Sequence, residues 1–95
     1  MILGIDPGQT GGFVFLTDEG KIEAVAFMPI GPDNLVSYLD VKKILKRFKD
    51  KVKMVLLERA VSFGMGGMGA FTYGQGFATI RCALVQLEMP FTLIE

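Results

Sequence analysis

The sequence predicts an α/β domain built on one mixed five-stranded sheet. Three observations predict it. The first third alternates short apolar runs with glycine-rich or charged turns, as a strand meander does. The middle carries apolar residues at helical spacing and then the apolar run "VKMVLLE". The last part is a long apolar stretch closed by Met89-Pro90 and a short terminal run. The order is three strands, helix, strand, helix, strand. An antiparallel meander feeding a parallel βαβα segment gives a mixed sheet with flanking helices.

Each element has its own signal. Met1 to Asp6 reads as the first strand. Gly8 to Gly12 follows as a tight turn, because glycine adopts positive φ without strain. Phe13 to Thr17 is the second strand, "DEGK" a hairpin turn, and Ile22 to Met28 the third strand. Pro29 and Pro32 mark a loop. Asp40 is expected to cap the first helix, whose apolar stripe is Val41, Ile44, Leu45 and Phe48. Val52 to Glu58 is expected to be a strand buried on both faces. A glycine-rich loop is expected over Arg59 to about Phe71, and a second helix from about Thr72 to Glu88. Pro90 ends that helix, and Phe91 to Ile94 reads as the fifth strand.

Composition narrows the function classes. Ninety-five residues, 51% of them apolar, make one domain, residues 1–95, with a core of its own. The formal charge is zero, which is no global signature of a nucleic-acid binder. Seven of the ten Lys and Arg nevertheless fall between Lys42 and Lys53. They flank the stripe of the first helix and read first as a solvated face, second as a phosphate-contacting one. A single cysteine, Cys82, forms no intramolecular disulfide and suits a reducing compartment. Cys82 is expected to be a small core residue. The absence of His removes histidine bases and histidine metal ligands from these residues. No secretory signal is legible. The uncharged run Ala60 to Ile80 is long enough to span a bilayer, but its glycines and its Ser, Thr and Gln side chains argue against a membrane partner.

Asp6 and Glu58 carry the chemistry. Each closes an apolar strand, in "MILGID" and in "KMVLLE". If those strands pair in parallel, the two carboxylates emerge side by side at one edge of the sheet. Like charges held close favour a cation between them, and hard oxygen ligands suit Mg²⁺ or Mn²⁺. The plainer reading is that strand-terminal acids are solvated ends. In the turn "PGQTGG" after Asp6, Gly8, Gly11 and Gly12 let backbone approach a phosphate closely, and backbone N–H groups there can form an anion-binding nest, with Gly8, Gln9 and Thr10 the residues expected to contact the ligand. The same turn fits the phosphate loop of actin-like or sugar-kinase ATPases, so residue type alone leaves nuclease and ATPase both open.

The stretches "ILGIDPGQTGGFVFL" and "VLLERAVSFGMGGMGAFTYGQGFATIRCALVQLEMPFTLIE", with Met28-Pro29, resemble the RuvC-like Holliday-junction resolvases, in particular their phage and prophage branch. The resemblance covers nearly the whole chain. It implies an RNase H-like fold and a Mg²⁺-dependent endonuclease, with Mn²⁺ able to substitute, that cuts four-way or branched DNA as a homodimer. The implied setting is the cytoplasm of a bacterial or phage-infected cell. It makes Asp6 and Glu58 the first two catalytic, metal-binding carboxylates. Two further acids are implied on a C-terminal helix beyond Glu95, so these residues are expected to be an N-terminal portion, inactive alone.

The remaining expectations concern DNA and assembly. Phe63, with Met65, Met68, Phe71 and Tyr73 on the glycine-rich loop, offers stacking surfaces for unpaired bases, or else folds back into the core. Arg59 is placed to meet a phosphate or to neutralise the acid pair. The second helix is apolar almost all round, so a dimer interface through Phe77, Ile80, Leu84 and Leu87 is expected, against the alternative of burial within the monomer. A third reading of the whole is a DNA-binding remnant without cleavage.

Overall fold

The computed structural model describes residues 1–59 and 66–95. Strand β1 (Ile2–Asp6) pairs antiparallel with β2 (Gly12–Leu16), and β2 pairs antiparallel with β3 (Ile22–Phe27). The hairpin between β2 and β3 turns at Gly20, whose φ of 86° is the left-handed conformation that glycine tolerates. Helix α1 (Tyr38–Arg47) leads into β4 (Met54–Glu58), which lies parallel to β1. Helix α2 (Gly67–Gln86) then leads into β5 (Thr92–Ile94), parallel to β4. The sheet order is β3-β2-β1-β4-β5. The expected meander and parallel segment are both present.

Alternation along the strands sorts the side chains. Leu3, Ile5, Phe13, Phe15, Val55 and Leu57 point to one face and are buried beneath the helices. Val41 and Leu45 of α1 and Ile80, Ala83 and Leu84 of α2 complete that core. The opposite face carries the laterally paired Gly4, Val14, Val25, Leu56 and Thr92. Among the described residues no helix covers it. Val25 and Phe27 are exposed there, as is Met54. The expectation that β4 is buried on both faces therefore fails. An apolar run cannot report which faces find a cover.

The helix boundaries also shift. Ser37, not Asp40, caps α1: its hydroxyl accepts the Asp40 backbone N–H at 3.3 Å. Asp40 lies inside the first turn, where its charge opposes the helix dipole, and Lys46 and Arg47 do the same in the last turn. Helix α2 begins at Gly67, within the stretch expected to be loop. No proline interrupts Gly66–Phe71, and the Thr72 hydroxyl donates back to the carbonyls of Met68 and Gly69. At its other end α2 stops in a Schellman arrangement. The Met89 N–H reaches the Leu84 carbonyl and the Glu88 N–H that of Val85, with Glu88 at φ 57°.

One expectation about assembly needs correction. Ile80, Leu84 and Leu87, expected at a dimer contact, are buried in the chain's own core, and Phe77 is half-buried against it. The helix has one inner side, not two. Its outer side exposes Phe71, Ala78, Cys82 and Val85, so Cys82 is a surface residue rather than a core one. No helix among the described residues is long and apolar enough to cross a membrane.

Candidate metal and nucleic-acid site

Parallel pairing of β1 with β4 sets the site. Ile5 stands opposite Leu57, so Asp6 and Glu58 follow as the next residues of two adjacent strands and emerge on the same side. Neighbouring strands lie about 4.8 Å apart. Both carboxylates line one open depression of about 560 Å³ on the bare sheet face, floored by Gly4, Val14 and Leu56 and rimmed by Thr10. Glu95 lines the same depression, but no group of three or more acids or cysteines comes close enough together to hold a metal ion among the described residues, so the candidate ligands are the pair Asp6 and Glu58.

The turn after Asp6 is built around its carboxylate. Oδ1 of Asp6 accepts the Gly8 N–H at 3.0 Å, which leaves Oδ2 for another partner. The Gly11 N–H closes the turn on the Gly8 carbonyl at 2.9 Å. The glycines here serve close approach rather than positive φ. A Cβ on Gly11 would meet the Asp6 carbonyl at 2.3 Å, and one on Gly12 would meet the Ala26 carbonyl at 2.3 Å. Gly8 is different: its missing Cβ leaves a gap between Asp6 Oδ1 and the ring of Tyr73.

Two glutamines hold the neighbouring loop in place. Gln9, expected to contact DNA, donates its side-chain amide to the Asn34 carbonyl at 2.7 Å. Gln75 of α2 grips Val36 twice, accepting its N–H at 3.0 Å and donating to its carbonyl at 3.1 Å. Residues 30–36, bridged between Ile30 and Val36, thus form a fixed wall beside the turn. Thr10 remains exposed. Arg59 does not neutralise Asp6 and Glu58. Its guanidinium lies 3.7 Å from Glu95, and its backbone N–H bonds to the Ile94 carbonyl. Phe63, with Met65, lies outside the described residues.

Tyr73, expected on the glycine-rich loop, stands next to the turn instead. It belongs to α2, one turn before Gly76. The helix crosses the Asp6 turn so closely that a Cβ on Gly76 would come 2.7 Å from the Pro7 carbonyl. That contact seats the Tyr73 ring against Gly8. Burial pushes the Tyr73 phenol up, and the charges of Glu58 and Asp6 push it the same way. It stays a neutral donor at neutral pH, within electrostatic reach of the acid pair. The glycine three residues after an aromatic was the available signal, but only tertiary packing shows what approaches that glycine.

No protein-family model matches the sequence, and no curated protein matches it. Solved structures do. The structure of T. thermophilus RuvC in complex with Holliday junction substrate superposes with a TM-score of 0.75 at 17% identity. It covers 98% of this chain and 62% of that one. The structure of Thermus thermophilus RuvC superposes with a TM-score of 0.66 at 19% identity, over the same shares. The chain thus spans less than two thirds of the length of the RuvC chains it matches. At such identities the likeness concerns the fold alone. The chain has the RuvC-like, RNase H-like fold.

Proposed function

We propose that this chain is the catalytic-strand portion of a metal-dependent, structure-selective endonuclease that hydrolyses phosphodiester bonds at four-way or branched DNA. One observation carries the reading. Asp6 and Glu58 end adjacent parallel strands on one side of the sheet, in the fold of a protein solved with a Holliday junction. The donor set fits a hard divalent cation: Oδ2 of Asp6 and the Glu58 carboxylate are oxygen ligands at an open edge. Mg²⁺, or Mn²⁺ in its place, would there lower the pKa of a bound water and stabilise the leaving oxygen. Asp6 and Glu58 would hold the ion, and the exposed Thr10 and the Gly8 turn would border the DNA strand. The phage-type branch, and action in the cytoplasm of a bacterial or phage-infected cell, belong to the same proposal.

The proposal includes a homodimer, formed through the outer side of α2 rather than its buried one. Phe71, Ala78 and Val85 recur there at seven-residue intervals, a spacing that suits helix–helix contact. Val85→Glu is expected to dissociate the dimer at micromolar concentration in light scattering without unfolding the chain.

Fluorescence titration with a four-way junction and with a linear duplex of equal length tests the function. Tighter binding of the junction, falling steeply with salt, supports it. Equal affinity for both DNAs, or binding of ATP in place of DNA, overturns it. Junction binding without cleavage, in Mn²⁺ and with every further acid of the full protein present, would favour the reading as a DNA-binding remnant. That alternative draws on the acid pair having no third member among the described residues.

A further inference from the structure

We infer that Tyr73 is a DNA-contacting residue, its phenol donating a hydrogen bond to a non-bridging oxygen of the phosphodiester held at the Asp6–Glu58 edge. This rests on the phosphodiesterase reading above and adds a residue to it. Three placements carry it. Gly76 locks α2 onto the Pro7 carbonyl, which fixes where the preceding turn of the helix projects. The Tyr73 ring carbon Cε2 and Asp6 Oδ1 lie 3.8 and 3.4 Å from one point, the position a Gly8 Cβ would take. A methyl group there would stand between the two; the glycine leaves that space to a ligand. The phenol oxygen is open to solvent rather than buried, and no group among the described residues bonds it.

The chemistry follows from the surroundings. A phosphate drawn to cations on two carboxylates brings its own negative oxygens to the edge. Glu95, which lines the same depression, is paired with Arg59 at 3.7 Å; an unpaired acid beside the phosphate would repel those oxygens, and a lysine would compete with the cations for the carboxylates. A protonated phenol does neither. It offers one O–H at a fixed distance from the helix axis, and it accepts or donates without altering the charge of the site. A hydrogen bond from a neutral donor to a charged acceptor is also stronger than a neutral pair.

Tyr73→Phe removes the donor and keeps the ring. It is expected to weaken junction binding in Mn²⁺ about tenfold, the lower end for a hydrogen bond to a charged group. Its melting temperature and Mn²⁺ affinity should match wild type, because the phenol is no ligand. Single methylphosphonates, which replace one non-bridging oxygen by a neutral methyl, are then scanned along the strand beside the branch. At one position wild type and Tyr73→Phe should bind equally. Three outcomes overturn the assignment: unchanged junction affinity in Tyr73→Phe, a deficit that persists at every scanned position, or a deficit that tracks a lowered melting temperature. Failure of the underlying reading looks different. Wild type would then show no preference for the junction, and Asp6→Asn would leave Mn²⁺ binding intact.

Discussion

The two faces of the sheet are made by the same strands and have opposite characters. On the covered face Leu3, Phe13 and Leu57 are 0% exposed and their neighbours nearly so. On the bare face Phe27 is 85% exposed, and Asp6 and Glu58 stand at its edge. A residue's partners, not its apolarity, decide what it does. On one face shape alone matters, because every side chain meets another. On the other, the side chains meet only their lateral neighbours and no helix covers them among the described residues, so they are open to a ligand, a nucleic acid or a further part of the protein.

The largest effect expected tests that contrast directly. Phe13→Ala should cost about 3–5 kcal/mol, since it opens a cavity under both helices. Phe27→Ala, the same chemical change on the neighbouring strand, should stay within about 0.5 kcal/mol. Urea unfolding of the two variants compares them. Similar losses would mean that the face carrying Phe27 is covered in solution.

The sequence made the covered face legible and left the bare one ambiguous, for a physical reason. Period-two alternation names the residues that share a face, so Leu3 with Ile5 and Phe13 with Phe15 were readable. It cannot say which face is covered, so β4 was expected to be buried on both sides. Helix α2 shows the same limit. Its apolar composition suggested two buried sides, but only Ile80, Ala83, Leu84 and the small Gly76 face inward. The pair Asp6 and Glu58 was readable, because each is a charge ending an apolar run. Gln75, Gln9 and Tyr73 were not, because their partners are backbone atoms or a turn reached only through folding.

The second prediction concerns the edge where the two faces meet. Asp6→Asn keeps an oxygen to accept the Gly8 N–H, so the turn should persist and stability should change by no more than about 0.5 kcal/mol. Its Mn²⁺ affinity should fall by about tenfold or more, as should that of Glu58→Gln. Calorimetric titration measures both, and the rise in melting temperature on adding Mn²⁺ should vanish with them. A metal response that survives both substitutions would place the cation elsewhere and reduce Asp6 to a turn-stabilising residue.

A smaller effect sharpens the account of the covered face. Glu88 holds a left-handed conformation at the end of α2 so that Met89 can turn back onto Leu84. That conformation strains a residue with a Cβ and suits glycine. Glu88→Gly should therefore stabilise the chain by about 0.5–1 kcal/mol. A loss instead would mean that the glutamate side chain makes a stabilising contact. One candidate is the basic pair Lys49 and Lys53, which lines the same shallow recess.

The smallest effect sets Asp18 against Asp6, two aspartates at opposite ends of the β1–β2 pair. Asp6 stands beside another acid. Asp18 sits 3.0 Å from the N-terminal ammonium and 3.4 Å from the Lys53 ammonium. The hydrogen bond from the N-terminal ammonium, and then that from Lys53, hold its carboxyl below the usual range. A carboxylate whose folded pKa lies below its unfolded one adds stability above the unfolded value, near pH 3.9. That contribution disappears as pH falls through the folded value. Wild type should therefore exceed Asp18→Asn in stability at neutral pH, and the two urea curves should converge on acidification below about pH 4. The gap should also narrow in molar salt, because all three groups are within reach of solvent and their attraction is screened. A gap that persists at low pH would show that Asp18 acts through the geometry of the hairpin rather than through its charge.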